Sequence, residues 1–136
     1  MALVPDVSIV LSQVLREATP RIASIVARVG REEWIVPALW WFELRNVLVV
    51  NERRRRLSEQ ATVDFLRLLS SDMTITIESV PDETAVMTLA RRHRLTVYDA
   101  AYLELALRER LDLATLDENL AEAARREGVA VVGDAA

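Results

Sequence analysis

The stretch ALVPDVSIVLSQVLRE, residues 2–17, predicts a short strand that ends in an acidic residue and leads directly into a helix. Its first part, ALVPD, is apolar and short, as in strands that are buried on both faces of a sheet. Its second part, IVLSQVLRE, is a longer segment of helical type. Asp6 lies at the junction, and Ser8 follows two residues later. A strand followed by a helix is the first half of a parallel β-α-β arrangement.

The same alternation continues to the end of the chain. Further strands are predicted at WIVP (34–37), MTITIES (73–79), DLATL (112–116) and VAVVG (129–133). Further helices are predicted at 20–30, 38–56, 58–72, 82–94, 98–110 and 118–128. Ser58 and Asp82 suit helix starts, and Gly30 and Gly128 suit helix ends. The predicted fold class is therefore α/β, with a parallel sheet of four to five short strands flanked by helices.

Length and composition exclude several classes of protein. The 136 residues suit a single domain, residues 1–136, without linkers or repeats. Cysteine is absent and there is one histidine, which excludes disulfides, thiolate chemistry and zinc clusters and leaves little for a Ser-His-Asp triad. The first residues lack a basic region and include a proline and a charge, so neither a signal peptide nor a membrane span is predicted. We expect a cytoplasmic protein with no membrane partner.

Four acidic residues have apolar neighbours: Asp6 in VPDVS, Glu43 in WWFEL, Asp99 in VYDAAYLELA and Asp117 in LATLDENL. A carboxylate removed from water is unfavourable unless it is paired, hydrogen-bonded or bound to a metal. Four such groups predict a shared hard cation, Mg²⁺ or Mn²⁺. The carboxyl ends of parallel strands form one edge of a sheet, where ligands bind, so these acids can converge there.

Three of these acids have a simpler explanation when each is taken alone. Asp6, Asp99 and Asp117 lie near predicted helix starts, and capping is the commoner use of aspartate there. Glu43 lacks this explanation, because helical spacing places it on a largely apolar stripe with Asn46 as its polar neighbour. Asn46 is therefore expected to orient Glu43 or a metal-bound water.

Two hydroxyl residues accompany the aspartates. Ser8 and Thr115 each lie two residues from an aspartate, and their side chains are candidate partners of the carboxylates or of metal-bound waters. Capping and β-propensity explain both residues nearly as well. His93 lies among arginines in the last turn of a predicted helix, and no chemistry is assigned to it.

The distribution of charge matters more than its sum. The formal net charge of −4 argues against a nucleic-acid partner, but four acids gathered around metal ions would no longer repel phosphate. All 17 basic residues are arginine, and four of them form the run Arg53, Arg54, Arg55 and Arg56. This run is either an RNA-backbone contact or a solvated helix end that complements the helix dipole.

The sequence resembles PIN-domain ribonucleases, in particular VapC-type toxins, at four places. These are the strand-terminal Asp6 with Ser8, the helical Glu43 with Asn46, the YDAAYLELA helix start and the T-x-D-x-x-L segment around Asp117. The resemblance extends from Asp6 to Gly128. It implies a PIN-like three-layer sandwich in which Asp6, Glu43, Asp99 and Asp117 are the catalytic, metal-binding acids, and Ser8, Asn46 and Thr115 are their polar companions. It also implies a homodimer and a cognate antitoxin, a segment of which lies in a helix-lined groove.

Three functions remain in competition at this stage. The first is a metal-dependent endoribonuclease, in which Mg²⁺ or Mn²⁺ activates the attacking water and stabilises charge on the phosphate, so that no protein nucleophile is needed. The second is a phosphoacceptor signalling domain or an aspartate-based phosphatase, but those families use a lysine and this chain has none. The third is a non-catalytic PIN-like interaction protein, which would keep unused buried charges at a standing energetic penalty. We expect the ribonuclease, as the toxin of a toxin–antitoxin pair.

Overall fold

A computed structural model describes residues 1–17 and 19–134 of the chain. Its four strands are β1 (Ala2–Pro5), β2 (Glu33–Pro37), β3 (Ile75–Glu78) and β4 (Asp112–Ala114). Its seven helices are α1 (Val7–Leu15), α2 (Pro20–Val29), α3 (Leu39–Arg53), α4 (Glu59–Asp72), α5 (Glu83–His93), α6 (Val97–Glu109) and α7 (Glu118–Arg126). The predicted α/β class with a helix-flanked parallel sheet is confirmed. Within the described ranges, no helix combines the length and apolar character needed to cross a membrane.

All four strands are parallel, in the order β3-β2-β1-β4. The chain moves outward from β1 to β2 and β3 and then returns to place β4 on the other side of β1. The carboxyl ends of β1 and β4 therefore flank the point where the strand order reverses, which is where open α/β sheets bind ligands. The predicted fifth strand, VAVVG, makes only an isolated parallel bridge between Val131 and Leu113 of β4.

The helix α6 forms the centre of the core. Its seven consecutive residues Ala100 to Ala106 are buried, and the helix packs across β1, β2 and β4 and against α5 and α7. A helix that is apolar nearly all round is expected at such a position. Helix α1 packs against the other helices α2, α3 and α4. The first turn of α6 is thereby held near the strand ends.

Local signals set most helix starts. Ser58 caps α4 by accepting from Ala61 N at 3.0 Å, and Asp82 caps α5 by accepting from Ala85 N at 3.0 Å. The capping explanation for Asp99 is wrong, because α6 begins two residues earlier and Thr96 Oγ1 accepts from Asp99 N at 3.1 Å. A threonine at this position satisfies the free N–H groups of the first turn.

The end of α3 also differs from the prediction. The sequence predicts a helix through Arg56, but α3 ends at Arg53 and the backbone of Arg55 is left-handed, with φ of 59°. Arg56 N and Leu57 N then donate to Asn51 O at 2.9 and 3.3 Å. This reversal satisfies a terminal carbonyl, as a helix C-terminus requires.

Candidate active site at the strand ends

Asp6 is the buried centre of the site, with a residue exposure of 5%. It caps α1 by accepting from Ile9 N at 3.3 Å, so the capping explanation and the site position hold together. Ser8 Oγ donates to Asp6 Oδ1 at 2.5 Å, and Thr115 Oγ1 donates to Asp6 Oδ2. The two hydroxyl residues named from the sequence thus both contact Asp6.

The hydroxyls also connect Asp6 to the loop after β4. Ser8 Oγ accepts from Leu116 N at 2.9 Å, and Thr115 Oγ1 accepts from Asp117 N at 3.0 Å. Because each hydroxyl has one proton and donates it to Asp6, three of the roughly four lone-pair sites of the Asp6 carboxylate are occupied. One site on Oδ2 remains available to a further donor or cation.

Glu43 is held by a residue that the sequence analysis did not identify. Tyr102 Oη, on α6, donates to Glu43 Oε1 at 2.7 Å, although the two residues are 59 positions apart. Burial and the negative charge of Glu43 raise the pKa of Tyr102 far above its ordinary value, so the phenol stays protonated. Asn46 is exposed and, among the described residues, makes no side-chain hydrogen bond to Glu43. The first part of the prediction, that Asn46 orients this carboxylate directly, is therefore wrong, and the second part, that it orients a metal-bound water, stays a prediction.

One signal for Tyr102 was present in the sequence. It lies three residues after Asp99 on α6, and residues at this spacing share a helix face. A tyrosine in an apolar helix is nevertheless most simply a core residue, and its burial agrees with that. Only the three-dimensional structure shows that its hydroxyl faces an acid on α3.

Asp99 is the carboxylate that connects the charges of the site, because it acts on Asp6 and Glu43 and is itself acted on by Asp117. Burial raises the pKa of Asp6 to about 6, and the charge of Asp99 adds to the effect. Burial also raises the pKa of Glu43, again with a contribution from Asp99. The pKa of Asp99 itself is raised by burial and then by the charge of Asp117. The four acids therefore form one electrostatic group in which negative charge is unfavourable without a proton or a cation.

Asp117 is the most accessible member of this group. It is exposed and caps α7 by accepting from Leu120 N at 3.1 Å. It therefore has both a structural role in the helix start and a position next to Asp99. A change at this residue needs a capping control before any loss can be assigned to its charge.

The donor set suits a hard divalent cation. Carboxylate oxygens are the ligands that Mg²⁺ and Mn²⁺ prefer, and a cation would offset both the burial and the mutual repulsion that raise the pKa values of Asp6, Glu43 and Asp99. Within the described residues, no three acidic or histidine side chains are placed closely enough to enclose an ion. An ion at this site would therefore be held by few direct ligands, with water completing its shell, as Mg²⁺ commonly is.

The arginine run lies away from the acids. Arg53 to Arg56 are exposed at the C-terminal end of α3, whereas Glu43 is near its start. The helical rise over these ten positions is about 15 Å. An extended nucleic-acid strand could contact both regions, but the arginines do not contribute to the acidic site itself.

The comparisons with known proteins agree with this arrangement. The family model of the PIN domain matches residues 3–126. The structure of PAE2754 from Pyrobaculum aerophilum superposes with a TM-score of 0.71 at 21% identity, covering 97% of this chain and 84% of that one. The structure of FitAcB from Neisseria gonorrhoeae gives a TM-score of 0.67 at 18% identity, covering 96% of both chains. No curated protein sequence matches the chain closely enough to count as a relative.

At these identities the two structures support the fold alone, whereas the family model covers most of the chain. The four acids identified from the sequence all lie within the matched residues. The chain therefore belongs to the PIN domain family, whose members are generally nucleases.

Proposed function

We propose that this protein is a metal-dependent endoribonuclease that hydrolyses RNA phosphodiester bonds and acts as the toxin of a toxin–antitoxin pair. The observation that carries the proposal is the group of four acids near the β1 and β4 ends, in which the charge of Asp99 acts on Asp6 and Glu43 and the charge of Asp117 acts on Asp99. A bound Mg²⁺ or Mn²⁺ would supply an activated water and stabilise negative charge on the phosphate. The toxin assignment depends on the motif resemblance.

The protein's own residues hold the acids in place. Ser8 and Thr115 fix both oxygens of Asp6, and Tyr102 fixes Glu43 across the gap between α3 and α6. Side chains locked by a second layer of hydrogen bonds are what a precise metal site requires. Asp6, Glu43, Asp99 and Asp117 would hold the metal, some of them directly and the others through water in its shell.

Brief expression of the protein, followed by sequencing of new RNA ends, tests this proposal in cells. New ends at a recurring sequence are expected with the wild type and not with Asp6→Asn or Asp99→Asn. If the wild type and both variants produce the same RNA ends, the proposal is contradicted. A protein that binds RNA without generating any new ends would favour the non-catalytic alternative.

Asp117 allows a matched comparison in the purified protein. Asp117→Asn should reduce cleavage by at least about a hundredfold, because it removes a charge from the metal site. Asp82→Asn is the control, since Asp82 caps α5 with the same geometry and asparagine caps as well as aspartate. Equal activity of the two variants would remove Asp117 from the site.

The partner proposal has a physical location. A groove of about 870 Å³ runs between α1, α2 and α4, and its walls include Val14, Val26, Phe65, Leu68 and Met73. A groove of this kind suits the apolar face of an amphipathic segment. We assign it to a segment of the antitoxin, and a basic antitoxin side chain reaching the acids would inhibit the enzyme.

A further inference from the structure

A small cavity opens beside the acidic group, between the first turns of α3 and the start of α6. Its volume is about 270 Å³, and its lining residues are Leu39, Phe42, Glu43, Asn46 and Tyr98. The four α3 residues have the i, i+3, i+4, i+7 spacing of one helix face. Glu43 therefore belongs both to the acidic site and to the wall of this cavity.

Two aromatic side chains at this cavity are largely in solvent. Phe42 is 71% exposed and Tyr98 is 62% exposed. Each is the sequence neighbour of a site acid, since Phe42 precedes Glu43 and Tyr98 precedes Asp99. Exposed aromatic faces next to a candidate nuclease site suit the stacking of unpaired bases, which every base can provide.

The chemistry of the cavity favours a neutral base over other occupants. The lining residues include no cationic side chain that could bind a phosphate, whereas a base is uncharged and has polar edges. Asn46 is exposed at the same wall, and its amide can both donate and accept hydrogen bonds to a base edge. The size is also below that of a pocket for a drug-sized ligand.

We propose that this cavity holds one unpaired base of the substrate, next to the scissile phosphate, with Tyr98 and Phe42 stacking on it. The proposal rests on the proposed ribonuclease function and adds to it a base-binding position formed by this cavity. A paired base could not enter, because its faces and its Watson–Crick edge are already occupied. Asn46 then contacts the substrate, which gives this residue a role other than orienting Glu43.

The test uses a short single-stranded RNA that the purified wild type cuts at one position. Tyr98→Leu keeps an apolar side chain but removes the flat ring, so KM should rise on the order of tenfold. Tyr98→Phe keeps the ring and should behave like the wild type. Val97→Ala is the control, since Val97 is an exposed apolar neighbour that does not line the cavity.

Abasic substrates then identify the base itself. Removing the base at one nucleotide beside the cut should raise KM for the wild type by a similar factor and add little to the defect of Tyr98→Leu. The same RNA annealed to its complement should be cut at least tenfold more slowly. An abasic effect on KM that does not add to the effect of Tyr98→Leu is expected only if Tyr98 and that base contact each other.

Four results would overturn the proposal. Equal kinetics for Tyr98→Leu and Tyr98→Phe, or abasic effects that add fully to Tyr98→Leu, would exclude the base contact while leaving the nuclease proposal intact. Light scattering that shows Tyr98→Leu breaking a dimer, with RNA cleavage unchanged, would assign the surface to a second copy of the chain. No cleavage of any RNA by the wild type with Mg²⁺ or Mn²⁺ would overturn the ribonuclease proposal, and this one with it.

Discussion

Tyr102 is the residue that connects the helical acid of the site to the protein core. Its ring is buried in α6 and its hydroxyl donates to Glu43 on α3 at 2.7 Å. Tyr102→Phe should lower the free energy of unfolding by about 1–2 kcal/mol, because Glu43 loses its donor in a partly buried place. It should also lower the cleavage rate, because Glu43 would no longer be held.

Urea unfolding of Tyr102→Phe, Glu43→Gln and the double variant measures this coupling. The expected interaction energy exceeds about 0.5 kcal/mol, as is usual for residues in direct contact. Strictly additive effects on stability would mean that the hydroxyl and the carboxylate do not interact in solution.

Asp6 should make the stability of the metal-free protein depend on pH. Burial raises its pKa to about 6 in the folded protein, against an ordinary value of 3.8. Between these values the folded protein binds more protons than the unfolded chain, so stability falls as pH rises through this window. Relative to Asp6→Asn, which does not titrate, the wild type should lose on the order of 2–3 kcal/mol between about pH 4 and pH 7.

Urea unfolding in the presence of a chelator, at several pH values in this range, provides the measurement. The other site acids are common to both proteins, so the difference between the two curves reports Asp6 together with its coupling to Asp99. Parallel curves across the window would show that Asp6 does not carry the raised pKa.

At the level of single elements, the arginine run at the end of α3 is the candidate RNA-backbone contact. Arg54→Gln/Arg55→Gln should weaken RNA binding and reduce the slope of log affinity against log salt by about one unit per lost phosphate contact. The control replaces Arg31 and Arg67, two exposed arginines elsewhere, with glutamine and removes the same charge. If the run is only a helix end, both pairs will change the slope equally.

The sequence predicted the presence of the helices and strands better than it predicted where each one ends and which side chains meet between them. Apolar runs and capping residues are local signals, so all seven helices and the four strands could be placed from sequence alone. The end of α3 was missed because residues other than glycine rarely adopt the left-handed backbone found at Arg55. A run of arginines contains no local signal for a helix end. The pairing of Glu43 with Tyr102 was missed because it depends on how two helices pack, which spacing within one helix does not contain.

Helix α6, which carries Asp99, also contains a buried acid that is not part of the site. Glu104 has leucine on both sides and is buried, as a site acid would be, yet it is satisfied by Arg108 at 2.8 Å and by Asp82 N at 3.1 Å. An acid among apolar residues is therefore not by itself a sign of function. What distinguished the four site acids was their position at strand ends and helix starts on one edge of the sheet.

At the scale of the whole molecule, the groove between α1, α2 and α4 should bind the proposed antitoxin segment. Leu68 lines this groove and is 53% exposed, whereas Val63 is 45% exposed on the same helix and does not line it. Leu68→Glu should abolish co-purification with the product of a small neighbouring reading frame, while Val63→Glu should retain it.

Light scattering of the isolated protein accompanies this experiment, and a homodimer is expected. Binding of the partner should raise the melting temperature by mass action while inhibiting cleavage. A monodisperse monomer that retains no partner and is harmless when expressed would contradict the toxin assignment.

The most direct measurement of the central claim is RNA cleavage by purified protein during a titration with Mg²⁺ or Mn²⁺. Asp99 does not cap its helix, so Asp99→Asn should fold normally, and Glu109→Gln removes a charge from the same helix away from the site. We predict metal-dependent cleavage by the wild type and Glu109→Gln, and a loss of at least about a hundredfold in Asp99→Asn. Cleavage that persists in chelator, or equally in Asp99→Asn, would contradict the account.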